Sequence, residues 1–90
     1  MVKEKSAPSV ENQEVLEDQK DLVLYNDDYN TFDFVIEALI EVCDHDPEQA
    51  EQCAWVAHLK GKCGVKKGTF DELIPLKTEM MNRKLTVEIQ

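Results

Sequence analysis

The 90-residue chain contains few of the residues that build special structures: three glycines, three prolines, three cysteines and one tryptophan. The cysteines are odd in number and form no Cys-x-x-Cys pair, which excludes a disulfide framework and a standard zinc spacing. One alternative role for the cysteines is a metal site formed by Cys43, His45, Cys53 and His58. Free cysteines usually pack in the interior, so we predict that Cys43, Cys53 and Cys63 are packing residues. We expect them to be reduced thiols in a reducing cytoplasm, with no metal or cofactor bound.

Basic residues are also scarce, because ten Lys and Arg stand against 19 Asp and Glu and give a formal net charge of -9. A phosphate backbone would be repelled by such a field, which argues against nucleic-acid binding. No apolar run approaches the roughly 18 residues of a membrane span. No apolar segment follows Lys3 and Lys5 as a signal peptide requires. We therefore predict a cytoplasmic protein with neither nucleic acid nor membrane as a partner.

The remaining composition suffices for one small domain. Hydrophobic residues make up 42% of the chain, and a domain of about this size buries only roughly 60% of its unfolded surface. Residues 1–21 are polar and bury too little apolar surface to offset the entropy lost on ordering. We predict a flexible N-terminal tail over 1–21 and a folded domain over 22–90.

Strand and helix signals alternate along the folded part. Short β-prone runs bounded by turn residues predict three strands, at 22–25, 62–66 and 85–89. Apolar residues at helical spacing predict three helices between them. The helix start signals are Asn30 with Asp33, Asp46 with Pro47, and Thr69 with Glu72. The order β-α-α-β-α-β predicts an α/β (α+β) sandwich, in which three helices cover a three-stranded antiparallel sheet.

Two residues inside the predicted helices need separate interpretation. Pro75 lies several residues inside the third helix, where a proline lacks the amide donor, so we expect a kink or a delayed start. Trp55 could anchor an interface, because tryptophan is enriched at binding hot spots. A large aromatic side chain in a small domain is, however, explained by the core alone. We predict that Trp55 is a core residue.

Three features of the chain occur together in one known family. Asn26-Asp27-Asp28-Tyr29 follows the first strand, Ala57-His58 lies near the end of the second helix, and Leu85 opens the last strand. From about Leu22 to Gln90 the chain thereby resembles ClpS, the adaptors that hand proteins with destabilising N-terminal residues to the Clp protease. The resemblance implies the fold predicted above and an adaptor rather than an enzyme, with no catalytic residue.

The resemblance also implies a role for individual residues. Asn26, Asp27 and His58 are implied to hold the free α-amino group of the substrate, whose three donors suit an amide oxygen, a carboxylate and a neutral imidazole nitrogen. The first side chain of the substrate is implied to enter a hydrophobic pocket. Its residues would be Asn30, Phe32, Val35, Ala54, Ala57 and Leu85. Two alanines stand where the family often has larger side chains and Phe32 where methionine is common, so the pocket size stays open.

The partners implied are the N-terminal domain of a Clp AAA+ unfoldase and N-degron substrate proteins, which carry a bulky hydrophobic first residue. Asp71 corresponds to an acidic docking residue, and the tail to the segment that engages the unfoldase pore. Taken singly, Asn-Asp-Asp is an ordinary turn and a lone helical histidine is usually a surface or core residue. Two alternatives remain: a structural interaction module of the same fold without N-degron binding, and an enzyme with His58 as its base.

Overall fold

The structure is a computed structural model that describes residues 18–90. Its elements are β1 (Lys20–Tyr25), α1 (Phe32–Cys43), α2 (Pro47–Lys60), β2 (Lys62–Gly68), α3 (Phe70–Asn82) and β3 (Thr86–Ile89). The predicted order β-α-α-β-α-β is thereby confirmed. Most of the predicted tail, residues 1–17, lies outside the described residues. β1 begins at Lys20, two residues before the predicted start of the folded domain.

The sheet is antiparallel throughout and has the order β2-β1-β3. β1 is therefore the central strand, as expected for the most apolar of the three. The register between β1 and β2 shifts once: Leu22 pairs with Lys66, but the next residue, Val23, pairs with Gly64. Val65 is the extra residue of this bulge, which bends the edge strand.

The hydrophobic core lies between the sheet and the helices. Leu22 and Leu24 alternate with Val23 along β1, so their side chains share the face that the helices cover. Together with residues of every other element they form one buried cluster. Its members are Leu22, Leu24, Ala38, Leu39, Cys43, Ala50, Ala57, Val65, Leu73, Met80, Leu85 and Val87.

The cysteines and histidines of residues 18–90 form no group that could hold a metal ion. Cys43 is buried, and Cys53 and Cys63 are half-buried; all three are free thiols. His45 is buried, with its Nε2 atom 2.6 Å from the carbonyl oxygen of Val65, whereas His58 is exposed. Over residues 18–90, no cluster of three or more His, Cys, Asp or Glu side chains could hold a metal ion.

None of the helices within residues 18–90 is long and apolar enough to cross a membrane.

The start of α1 corrects the predicted cap. Thr31, not Asn30, is the N-cap, because its hydroxyl oxygen accepts a hydrogen bond from the N–H of Phe34 at 3.1 Å. A capping threonine satisfies one of the N–H groups that the first helical turn leaves without a partner. The side chain of Asn30 is bound elsewhere and takes no part in this cap.

Of the two outcomes predicted for Pro75, a kink or a delayed helix start, α3 excludes the delayed start. The helix begins at Phe70, directly after the N-cap Thr69, whose capping box with Glu72 is complete. Pro75 lies inside the helix and removes one hydrogen bond, the one to the carbonyl of Asp71. Both residues are exposed, so water can satisfy this carbonyl. The helix therefore continues to Asn82 without a delayed start.

Candidate functional site

The loop of residues 26–31, between β1 and α1, is held together by one carboxylate. Oδ1 of Asp27 accepts hydrogen bonds from the backbone N–H groups of Tyr29 at 2.9 Å and Asn30 at 2.8 Å. Oδ2 accepts from the side-chain amide of Asn30 at 3.0 Å. Partial burial acts to raise the pKa of Asp27, but these hydrogen bonds to its charged form outweigh it and lower the pKa below its ordinary value. The carboxylate is therefore held in its ionised form.

Two further hydrogen bonds fasten this loop to its neighbours. The N–H of Asn26 donates to the carbonyl of Gly61 at 2.9 Å, at the end of α2. The side-chain amide of Asn30 donates to the carbonyl of Lys84 at 3.0 Å, before β3. Gly61 has a φ of 94°, a left-handed conformation that closes helices and that glycine adopts most readily. The loop is thereby joined to the last turn of α2, which carries His58.

A cavity of about 570 Å³ opens between this loop, α1 and α2. Its polar lining residues are Asn26, Asp27, Asp28, Asn30 and His58, and its apolar ones are Leu24, Phe32, Val35, Ala54, Trp55 and Ala57. Ala54 and Ala57 are buried on the inner face of α2. Because their side chains are short, they leave space that a larger residue would fill.

The structure brings together the residues predicted for the amine site and all those predicted for the pocket except Leu85. Leu85 is 4% exposed and belongs to the hydrophobic core. Its N–H donates to the carbonyl of Met80 at 3.1 Å, in the turn that joins α3 to β3. Asp71 is exposed in the first turn of α3 and is not among the lining residues.

Trp55 lines the cavity although the sequence predicted it in the core, and that prediction is wrong. Its side chain is 47% exposed. The centroid of its ring lies 4.6 Å from that of Phe32 and 6.1 Å from that of His58. A signal was present in the sequence: Ala54 and Ala57 define the buried face of α2, and Trp55 lies about 100° away from Ala54 around the helix.

Two further lining residues had no predicted role in the pocket. Leu24 of β1 is 2% exposed and contributes core surface to the cavity. Asp28 is exposed and forms no hydrogen bond or ion pair with another residue of the range 18–90. The alternation along β1 could have indicated Leu24, since Leu24 and Leu22 face the same way.

The cavity can accommodate a ligand that has a cationic group next to an apolar one. Its rim offers hydrogen-bond acceptors: the carboxylates of Asp27 and Asp28, the amide oxygen of Asn26 and the imidazole of His58. Its interior offers aliphatic and aromatic side chains. Apolar surface with a few convergent polar groups is the usual character of ligand sites.

Fold and cavity together define a small α+β domain, with its candidate site where the loop after β1 meets α2. The chain belongs to the ClpS family, since the sequence profile described as "ATP-dependent Clp protease adaptor protein ClpS" matches residues 16–88.

Individual relatives bear the same description. A protein of Nitratidesulfovibrio vulgaris named ATP-dependent Clp protease adapter protein ClpS is 44% identical over 46 residues, which are 49% of this chain and 46% of that protein. A protein of the same name from Salmonella arizonae is 38% identical over 64 residues, 69% of this chain and 58% of that protein. The chain thus spans about half the length of the curated relatives it matches.

A solved structure has the same fold. It is Agrobacterium tumefaciens ClpS2 bound to L-phenylalaninamide, with a TM-score of 0.76 and 20% sequence identity. The likeness covers 80% of this chain and 94% of that one.

Proposed function

We propose that this protein is an adaptor of the Clp system, which binds the free N-terminus of N-degron proteins and delivers them to the Clp AAA+ unfoldase for degradation. The observation that carries the proposal is the cavity, in which acceptors at the rim adjoin an apolar interior. Membership in the ClpS family supports the adaptor role. ClpS2, which has the same fold, is bound to L-phenylalaninamide, a ligand with a free amine beside a benzyl group.

The rim suits the α-ammonium group of a peptide. An ammonium has three donors, and Asn26, Asp27 and His58 supply an amide oxygen, a carboxylate and an imidazole nitrogen to accept them. The lowered pKa of Asp27 keeps its carboxylate ionised, and a charged acceptor makes the stronger hydrogen bond to a cation. The bulky hydrophobic first side chain then enters the interior beside Phe32 and Val35.

The ligand is proposed to leave the site chemically unchanged. The lining of the cavity contains no Ser, Thr, Cys or Lys side chain, so His58 has no such nucleophile beside it there. This favours a binding role over the enzyme considered from the sequence. A structural module of the same fold would leave the cavity without a ligand, which the titration below distinguishes.

We propose that the unfoldase docks on the first turn of α3. Asp71 is exposed there, next to the exposed apolar side chains of Phe70 and Ile74. An acidic residue within an apolar surface suits a protein partner that offers a basic residue in an apolar setting. Residues 1–21 are proposed to engage the unfoldase pore during delivery.

Calorimetric titration with peptides that differ only in their first residue tests the binding function. Peptides that begin with Phe, Tyr, Trp or Leu should bind with micromolar or tighter dissociation constants, about -8 kcal/mol or better. Peptides that begin with Ile, Val or a charged residue should bind weakly, because a branched β-carbon is stiff and crowds the cavity entrance. Equal affinities for the Phe and Val peptides would contradict this specificity, and no binding of any peptide would favour the structural module.

A further inference from the structure

Trp55 is the sole tryptophan of the chain, and its position is not explained by core packing. About half of its side chain is exposed, so the domain gains only part of the stabilisation that burial of an indole provides. The other part of the side chain lines the cavity between α1 and α2. A half-exposed aromatic ring at the edge of a ligand cavity is available for contact with the ligand.

The ring of Trp55 connects the two halves of the cavity. Towards the apolar half it pairs with Phe32, with the centroids 4.6 Å apart and the ring planes inclined by 56°. Towards the polar rim it meets the imidazole of His58 edge-on, at 6.1 Å and 77°. Both separations lie in the range of attractive aromatic pairs. Since Phe32 begins α1 and Trp55 lies in α2, the pair bridges the two helices.

Beside α2, the rings of Phe32 and Trp55 are the largest apolar surfaces that the cavity offers to a ligand, because their neighbours on this helix are small. Ala54 and Ala57, which flank Trp55 along α2, contribute only methyl groups. From its contacts with α2, an aliphatic side chain of the ligand would therefore gain little more than the burial of apolar surface. An aromatic side chain would gain the edge-to-face or offset contact with the rings of Phe32 and Trp55 as well.

We propose that Trp55 is a specificity-determining residue, whose indole forms with Phe32 an aromatic wall that makes the cavity prefer aromatic first side chains to leucine. This inference rests on the proposed function and refines its substrate class. Aromatic pairs contribute an affinity factor of about 2 to 10 beyond their area. A Phe-initiated peptide should therefore bind about 3- to 10-fold more tightly than an otherwise identical Leu-initiated one.

Substitution of Trp55 tests the wall by calorimetry with these two peptides. Trp55→Leu should bring their affinities to within about 2-fold of each other, because the aromatic contact is lost while apolar area remains. Trp55→Phe should restore the preference. Leu59→Ala is the matched control, since Leu59 is an exposed apolar residue one turn further along α2 and does not line the cavity. This control should keep the wild-type ratio.

The single tryptophan supplies an independent readout. A Leu-initiated peptide without aromatic residues does not fluoresce, and excitation at the long-wavelength edge of tryptophan absorption does not excite the two tyrosines of the chain, so the emission reports Trp55 alone. Saturation with this peptide should shift the emission to shorter wavelength, because the ligand removes water from the half-exposed ring.

If the peptides bind, any of three results would overturn the role of Trp55 but not the proposed function. These are an unchanged emission on saturation, an unchanged ratio of the Phe- and Leu-peptide affinities in Trp55→Leu, and a change of this ratio in Leu59→Ala that equals the change in Trp55→Leu. Failure of both peptides to bind the wild-type protein would instead overturn the proposed function, and the inference with it.

Discussion

Two side chains, Asp27 and Asn30, organise the loop at the candidate site. Both amide hydrogens of Asn30 are used, one on Oδ2 of Asp27 and the other on the carbonyl of Lys84. Oδ1 of Asp27 accepts two backbone hydrogen bonds, whereas Oδ2 accepts only that of Asn30 among the described residues. Oδ2 therefore keeps acceptor capacity for an ammonium group. The same carboxylate can shape the loop and, in the proposed function, accept a hydrogen bond from the peptide ammonium.

Replacement of Asn30 should loosen this loop. Asn30→Ala removes both side-chain hydrogen bonds, and each is worth about 0.5–1.5 kcal/mol, or more where the acceptor is charged. We expect a loss of about 1–3 kcal/mol in the free energy of unfolding and weaker binding of a Phe-initiated peptide. Denaturant unfolding checks the first effect, with Glu37→Ala, an exposed change on α1, as the control. A variant as stable as the control would contradict the role of Asn30.

The lowered pKa of Asp27 predicts the direction of its effect on stability with pH. Because the folded-state pKa lies below the unfolded value, the contribution of Asp27 is fully present above the unfolded value of about 3.8. It is lost as the pH falls through the folded-state pKa. NMR titration of the side-chain carboxyl carbon should give a value below 3.8 for Asp27. A midpoint above 3.8 would contradict the hydrogen-bonded geometry of the loop.

At the scale of elements, helix α2 positions the site because its two ends are defined by local signals. Asp46 caps the N-terminus by accepting from the N–H of Gln49 at 2.8 Å, and Pro47 is the first helical residue. Gly61 closes the C-terminus and offers its carbonyl to Asn26. The same glycine thus ends the helix and anchors the loop of residues 26–31.

Substitution at Gly61 should therefore affect both stability and binding. A Cβ atom there meets nothing within 4 Å, so the cost of Gly61→Ala comes from its positive φ, about 1–2 kcal/mol. Gly64→Ala is the matched control, because its Cβ also meets nothing within 4 Å and its φ is not in the left-handed region. Thermal unfolding and peptide titration of both variants check this. Equal stability of the two would contradict the prediction.

The elements could be predicted from sequence because their signals are local. The Asp46-Pro47 start, the Thr69 capping box and the Gly61 end all involve residues within one helical turn. Asn30 was misassigned as a helix cap because its actual partners include Lys84, which lies 54 residues away. No short-range pattern contains such a contact.

The predicted site needed more than local patterns. Its loop and histidine came from the resemblance to a family, and the structure groups them around one cavity. The size of Trp55 predicts a core residue, whereas the positions of Ala54 and Ala57 put it off the buried face of α2. Leu85 is a second example, because it is buried in a core cluster to which every element contributes, and no local pattern separates such a residue from one that lines the cavity.

At the scale of the whole molecule, the charge of the chain agrees with a cationic ligand. The formal net charge is -9, and two of the carboxylates counted in it, Asp27 and Asp28, line the candidate site. Such a field raises the local concentration of cations and weakens with salt. A peptide amine would thus be attracted before it makes any contact in the cavity.

Removal of the N-terminal segment should abolish the delivery of substrates to the unfoldase but leave peptide binding intact. Deletion of residues 1–17 leaves β1 complete, since this strand begins at Lys20 and pairs with β2 at Gly68. We expect unchanged affinity for a Phe-initiated peptide but loss of substrate degradation by the cognate unfoldase and protease. A truncated protein that still supports the full degradation rate would show that the segment has no part in delivery.

The proposed recognition of a free α-amino group can be tested by calorimetric titration with a Phe-initiated peptide before and after N-terminal acetylation. Acetylation removes the cation and leaves the carboxylate of Asp27 without its partner, so binding should weaken by at least about 2–5 kcal/mol. Asp27→Ala and His58→Ala should each weaken binding of the free peptide as well. Equal affinities for the free and the acetylated peptide would contradict the account.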